Sequence, residues 1–91
     1  MSQASLPELF GLAVRQQRER LGWSQERLAE SADLNRSYVG ELERGQAVPS
    51  LITLDKLARA LGLSPSNLLA QTERLSQQRL ISGLRLTAIA C

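Results

Sequence analysis

Reactive side chains are scarce in this chain. It has no histidine and one cysteine, Cys91. That excludes a zinc cluster, a Ser-His or Cys-His pair and an imidazole titrating near neutral pH, so the sequence predicts no enzyme, no metal and no cofactor. What remains is hydrogen-bonding and cationic chemistry. Ten of the eleven basic residues are arginine, whose planar fork matches phosphate oxygens and the guanine edge where lysine offers a point charge. An arginine-rich genome would give the same count, and the net charge is only +2, so composition suits nucleic acid without selecting it. The informative stretch is Gln25 to Gly45, which holds Arg36, Ser37, Tyr38, Glu41 and Arg44.

The elements that must position them follow from length and patterning. Ninety-one residues fit one small domain that buries about 60–65% of its unfolded surface. At 43% hydrophobic and 22% charged residues the chain is in the soluble range, and no apolar run approaches the ~18–20 residues of a membrane span. MSQASLPELF lacks the basic start and apolar stretch of a signal peptide, and the lone cysteine makes no internal disulfide; the expected location is a reducing cytoplasm.

Pro and Gly fall where helices should start or stop, and the sequence reads as all-α with five helices. Ser5 and Glu8 form a capping-box pattern for the first, which ends at Leu21 with Gly22 as a left-handed cap. Its shared face is Leu6, Phe10, Ala13, Val14 and Leu21. The second starts at Ser24 and ends near Ala32, and the third is capped by Asn35 and ends at Arg44–Gly45. Ser50 opens a fourth with Leu51, Leu54, Leu57, Ala58 and Leu61 inward, stopping at Gly62. Ser64–Pro65 opens a short fifth with Leu68 and Leu69 inward. These helices make a unit over residues 1–71. The extension, 72–91, supports a helix to Ile81 stopped by Gly83, and residues 84–91 stay unassigned.

The second and third helices are separated by a turn too tight for an antiparallel pair, so they cross steeply, as in a helix-turn-helix. At 100° per residue Val39 and Leu42 mark the buried side of the third helix; the opposite side centres on Ser37, Gly40, Glu41 and Arg44, flanked by Arg36 and Tyr38. That short polar face suits the major groove, with its N-terminal residues at the base edges. Glu43 lies near the core and needs a partner, for which Arg18 at the edge of the first helix is the candidate; both are read as structural.

The stretch GWSQERLAESADLNRSYVGELERGQAVPSLITLDKLARALGLSPSNLL resembles the DNA-binding domain of the lambda repressor and Cro family, the XRE family of bacterial regulators, with the likeness covering about residues 6–70. The resemblance implies that Gln25 holds a phosphate and buttresses the recognition helix, that Ser24 and Asn35 contact the DNA backbone, and that Arg36, Ser37 and Glu41 read bases. It adds phosphate contacts from Arg44 and from Arg15 or Arg18, with Arg18 rather pairing to Glu43 as in relatives. Two positions depart from the pattern. The turn glycine is Asp33, which tolerates a left-handed backbone less easily, and Gly40 removes a side chain from a position that often contacts DNA.

Alternatives stay open at several residues. Arg36 is a guanine or phosphate contact, or a solvated arginine. Glu41 accepts from cytosine N4, repels phosphates, or pairs with Arg44. Tyr38 bonds a phosphate or packs; Trp23 is a staple rather than a stacking platform. Leu75, Leu80, Ile81, Leu84, Leu86 and Ile89 pair with a second chain, with Leu9 and Leu12 joining, or fold back on their own core. The expectation adopted is a cytoplasmic transcriptional regulator binding a palindromic operator in double-stranded DNA as a homodimer, similar in plan to the autoregulatory controllers of restriction–modification systems. Glu41 or Glu43 would be available to RNA polymerase. The rivals are an antitoxin that uses residues 72–91 on its toxin and a protein-interaction adaptor that has lost DNA binding.

Overall fold

The computed structural model describes the backbone of residues 4–90 and the side chains of residues 4–78. Five helices follow in order: α1 (Leu6–Arg20), α2 (Gln25–Ala32), α3 (Arg36–Glu43), α4 (Leu51–Ala60) and α5 (Pro65–Ala90). The described residues contain no strand.

Each helix start has a local cause. Ser5 Oγ accepts from the Glu8 amide while Glu8 Oε1 accepts from the Ser5 amide, closing the capping box. Ser24, Ser50 and Ser64 accept from the amides of Arg27, Thr53 and Asn67, and Asn35 accepts from Ser37. Each such cap contributes about 1 kcal/mol relative to alanine. The first four helices also end alike. A residue with positive φ follows each one, namely Gly22, Asp33, Gly45 or Gly62, and the next amide reaches back five residues: Trp23 to Arg18, Leu34 to Ala29, Gln46 to Glu41 and Leu63 to Ala58. This closure satisfies carbonyls that would otherwise be orphaned. Asp33, at φ 55° and ψ 52°, holds that conformation with a side chain attached, at a strain of about 1 kcal/mol.

One apolar core joins all five helices. Phe10, Ala13 and Val14 enter it from α1, Leu28, Ala29 and Ala32 from α2, and Val39 and Leu42 from α3. Leu54, Leu57 and Ala58 come from α4, Leu61 from its cap and Leu68 from α5. α1 packs on α3 and α5, α2 on α3 and α4, and α4 on α5. Where α1 crosses α3 the backbones nearly touch: a β-carbon at Gly11 would run into the carbonyl oxygens of Leu42 and Glu43.

Several expectations are corrected. Leu6, Leu21, Leu51 and Leu69 are exposed rather than inward. They fall at helix ends or flanks, where apolar spacing continues but no neighbouring helix covers it. Leu9, expected off the inner face, is 6% exposed, and Leu12 is half-buried. The fifth helix is long, not short: it passes Gln71 and Gly83 unbroken to Ala90, as a helix tolerates an isolated glycine at about 1 kcal/mol. Thr72 is buried within it, its hydroxyl donating to the Leu68 carbonyl at 3.1 Å, and Leu75 packs against the chain's own core. The other apolar residues expected in a second-chain contact, Leu80 to Ile89, and Cys91 lie outside the described side chains.

Candidate nucleic-acid interface

The frame of the site is a knot of three helices around one carboxylate. Glu43, on the inner flank of α3, is 8% exposed. Arg18 of α1 donates to it twice, Nε to Oε2 at 2.7 Å and Nη2 to Oε1 at 3.0 Å, and Gln25 at the start of α2 donates Nε2 to Oε1 at 3.0 Å. The remaining Arg18 nitrogen, Nη1, donates to the Trp23 carbonyl at 2.8 Å, which ties in the connection between α1 and α2. The hydrogen bond to Glu43, first, raises the Arg18 guanidinium above its ordinary value; desolvation works against it and the charge attraction of Glu43 adds to it. Removing one member of such a buried pair strands the other, whereas the intact pair adds little net stability. The knot therefore fixes how α1, α2 and α3 meet.

Above this frame α3 turns a polar face outward. Arg36, Ser37, Glu41 and Arg44 are exposed, and Tyr38 is half-buried against the core. Glu41 makes no ion pair among the described residues, and Arg44 donates Nε to Gln46 Oε1 at 3.3 Å; the pairing of Glu41 with Arg44 left open by the sequence is not made. Ser24 and Asn35 spend one oxygen each on capping and retain the Ser24 hydroxyl hydrogen and the Asn35 amide group as donors. The asparagine thus prepares the first turn of α3 and stands at its edge. Arg15 is exposed and faces Glu19 at 3.4 Å. A cleft between α1 and α3 is lined by Arg15, Arg18, Gln25, Glu43 and Arg44.

The model of the helix-turn-helix family matches residues 14–68, from the middle of α1 into α5. The chain belongs to the XRE-type helix-turn-helix family. It is 45% identical over 62 residues to the control protein C.BamHI of Bacillus amyloliquefaciens, covering 67% of this chain and 76% of that one. The restriction–modification controller protein C.AhdI of Aeromonas hydrophila is 47% identical with a TM-score of 0.67, over 68% of this chain and 94% of that one. The clp gene regulator ClgR of Corynebacterium glutamicum is 26% identical, yet superposes over 97% of this chain and 94% of its own with a TM-score of 0.86.

Within this family frame the structure places the expected residues in two layers. Arg36, Ser37, Glu41 and Arg44 share the outer surface, while Arg18, Glu43 and part of Gln25 lie beneath it. Two corrections concern α3. Gly40, expected at the centre of the open face, is buried because the Arg44 and Gln25 side chains cover it. Glu43, considered as a polymerase contact, is enclosed by Arg18 and Gln25, so Glu41 is the acid of this helix that faces outward. Trp23 is half-buried on the core with the Arg27 guanidinium carbon 5.0 Å from its ring centroid, a packing residue. Gly11 escaped the sequence reading. Its only signal was a glycine inside an otherwise regular amphipathic helix, a pattern that marks close backbone approach.

Proposed function

We propose that this protein regulates transcription by binding a two-fold symmetric operator in double-stranded DNA as a homodimer, in the manner of a small autoregulatory controller. The observation that carries the reading is the outer surface of α3. Arg36, Ser37 and Glu41 are exposed there and take no part in packing, while the helix beneath them is anchored by Val39, Leu42 and the Arg18–Glu43–Gln25 knot. A rigid helix with free donors and acceptors near its N-terminus is what a major groove reads. In this reading Arg36 takes a guanine, Ser37 and Glu41 complete the base contacts, and Ser24, Gln25, Asn35, Tyr38, Arg44 and Arg15 hold phosphates. The names of the relatives C.BamHI and C.AhdI support the controller plan.

In this reading the dimer surface lies at the entry to α4. Val48, Leu51 and Ile52 are 77%, 82% and 71% exposed, in a segment, residues 47–54, without a charged side chain. They follow α3 directly in the chain, so pairing there sets the spacing of two recognition helices. Glu41 remains available to RNA polymerase, and such a regulator works in the cytoplasm.

The test is selection of binding sites from random duplex DNA by the purified protein at fixed salt, since phosphate contacts make affinity salt-dependent. An enriched inverted repeat with half-site centres about 10–11 base pairs apart is expected. Weak salt-sensitive binding without enrichment would overturn the proposal and favour the antitoxin or the adaptor, each recognised by a protein partner.

A further inference from the structure

We infer that Gly40 is a positioning residue for DNA binding: its missing side chain leaves a slot in which the Arg44 guanidinium lies back along α3, beside Gln25, and is presented to a backbone phosphate. This rests on the DNA-binding reading above. Side chains on a helix lean toward its N-terminus, and residues four apart stack on one face. Arg44 follows that rule and lies over Gly40: a β-carbon at position 40 would stand 3.1 Å from Arg44 Nη1, 3.8 Å from Nη2 and 3.5 Å from Gln25 Oε1. The floor of the slot is therefore the bare α-carbon of Gly40.

The fold itself does not ask for glycine here. Gly40 sits inside α3 and is absent from the residues with positive φ, and no other helix backbone presses on it, in contrast to Gly11. Glycine weakens a helix interior more than any residue except proline, so the eight-residue α3 tolerates an unfavourable residue at its middle. The guanidinium above it explains why.

Charge selects the ligand class. In the cleft, Arg18 is neutralised by Glu43 and Arg15 faces Glu19, whereas Arg44 has only the neutral Gln46 as a side-chain partner among the described residues. Its charge is uncompensated, and a planar guanidinium held with both Nη atoms over one turn of helix offers a fork to a phosphate. Holding the fork in place before DNA arrives lowers the ordering cost of the contact.

The experiment measures operator affinity against salt concentration for Gly40→Leu, Arg44→Ala and the double variant, on the operator selected by the unmodified protein. Leucine fills the slot and is a good helix former. Gly40→Leu is expected to weaken binding about tenfold per half-site, the scale of one charge-assisted hydrogen bond, and to make the slope of log affinity against log salt shallower by about 0.9 per half-site. Arg44→Ala should do the same, and the double variant should bind no more weakly than either. Melting temperature should not fall. If Gly40→Leu fails to fold, Gly40→Ala, which requires Arg44 to shift by a few tenths of an ångström, should give a smaller loss in the same direction and the same non-additivity. Wild-type affinity and slope for the position-40 variants, or losses that add in the double variant, would overturn the inference. The two levels separate: an unmodified protein that selects no operator removes the DNA reading itself, whereas an operator bound more weakly by Arg36→Ala and with wild-type affinity and slope by Gly40→Leu removes only the role of Gly40.

Discussion

Two glutamates two positions apart on α3 meet opposite environments. Two residues turn a helix by about 200°, so Glu41 faces outward without an ion pair among the described residues while Glu43 is enclosed by Arg18 and Gln25. Glu43→Ala should therefore cost about 3–5 kcal/mol, because it strands the Arg18 charge in a partly buried site; urea unfolding measures it, and a wild-type midpoint would contradict the pair's role. Replacing both members, Arg18→Met with Glu43→Leu, should cost less than Glu43→Ala alone. Arg18 titrates above its ordinary value. A raised basic group contributes stability that is fully present below its unfolded value and lost only as pH rises through the folded one, so Arg18 itself brings no pH dependence near neutrality. On the outer face, Arg36→Ala should lose about 1–3 kcal/mol of operator binding and relax preference at one base pair. Equal loss on every sequence in a binding titration would make Arg36 a phosphate contact instead. The pairing of Arg18 with Glu43 was legible because an acid at the core's edge needs a cation; the cover over Gly40 was not, since a wheel projection shows where a backbone atom faces and not which longer side chain lies across it.

At the scale of elements, helix ends were the most legible part of the chain. Ser5, Ser24, Asn35 and Ser50 cap as their chemistry dictates, and Gly22, Gly45 and Gly62 close helices through positive φ. Asp33 is the exception that tests the rule: Asp33→Gly should raise stability by up to about 1 kcal/mol by releasing the left-handed strain, its ion pair to Lys56 being long, at 3.9 Å, and exposed. An unchanged or lower melting temperature would show that the turn tolerates aspartate without strain. Gly11→Ala should act in the other direction, by about 1–3 kcal/mol, since α1 would have to move off the backbone of Leu42 and Glu43. Apolar spacing was a poorer guide. Leu6, Leu51 and Leu69 continue the pattern of their helices into solvent, because periodicity defines a stripe and the packing partner decides how much of it is covered. The length of α5 was hidden for a related reason: Gly83 carries the signal of a stop, and a helix passes through it.

On the scale of the whole molecule, the arrangement of five helices was readable from patterning, whereas the apolar surface open to association is spread differently among the described side chains. The sequence put surplus apolar surface on the C-terminal extension and on Leu9; the fold buries Leu9, packs Leu75 inward and leaves Val48, Leu51 and Ile52 exposed beside the recognition unit. Leu51→Glu with Ile52→Glu should therefore shift the protein toward monomer in sedimentation and weaken operator binding while leaving the melting temperature of the monomer unchanged. A tight dimer in that variant would place the interface elsewhere, with the extension the next surface to examine. Leu51 and Ile52 are 82% and 71% exposed, so a loss of folding would not be the cause.

The division of α3 into two sides has an evolutionary consequence. The residues that anchor it, Val39, Leu42 and Glu43, are buried, and those proposed to read bases, Arg36, Ser37 and Glu41, are exposed, so the two sets do not overlap. After gene duplication, one copy is free to drift at the three outer positions and acquire a different address on the chromosome while every intermediate along the way still folds. A helix-turn-helix protein built like this diverges by rewriting its label, leaving its frame alone.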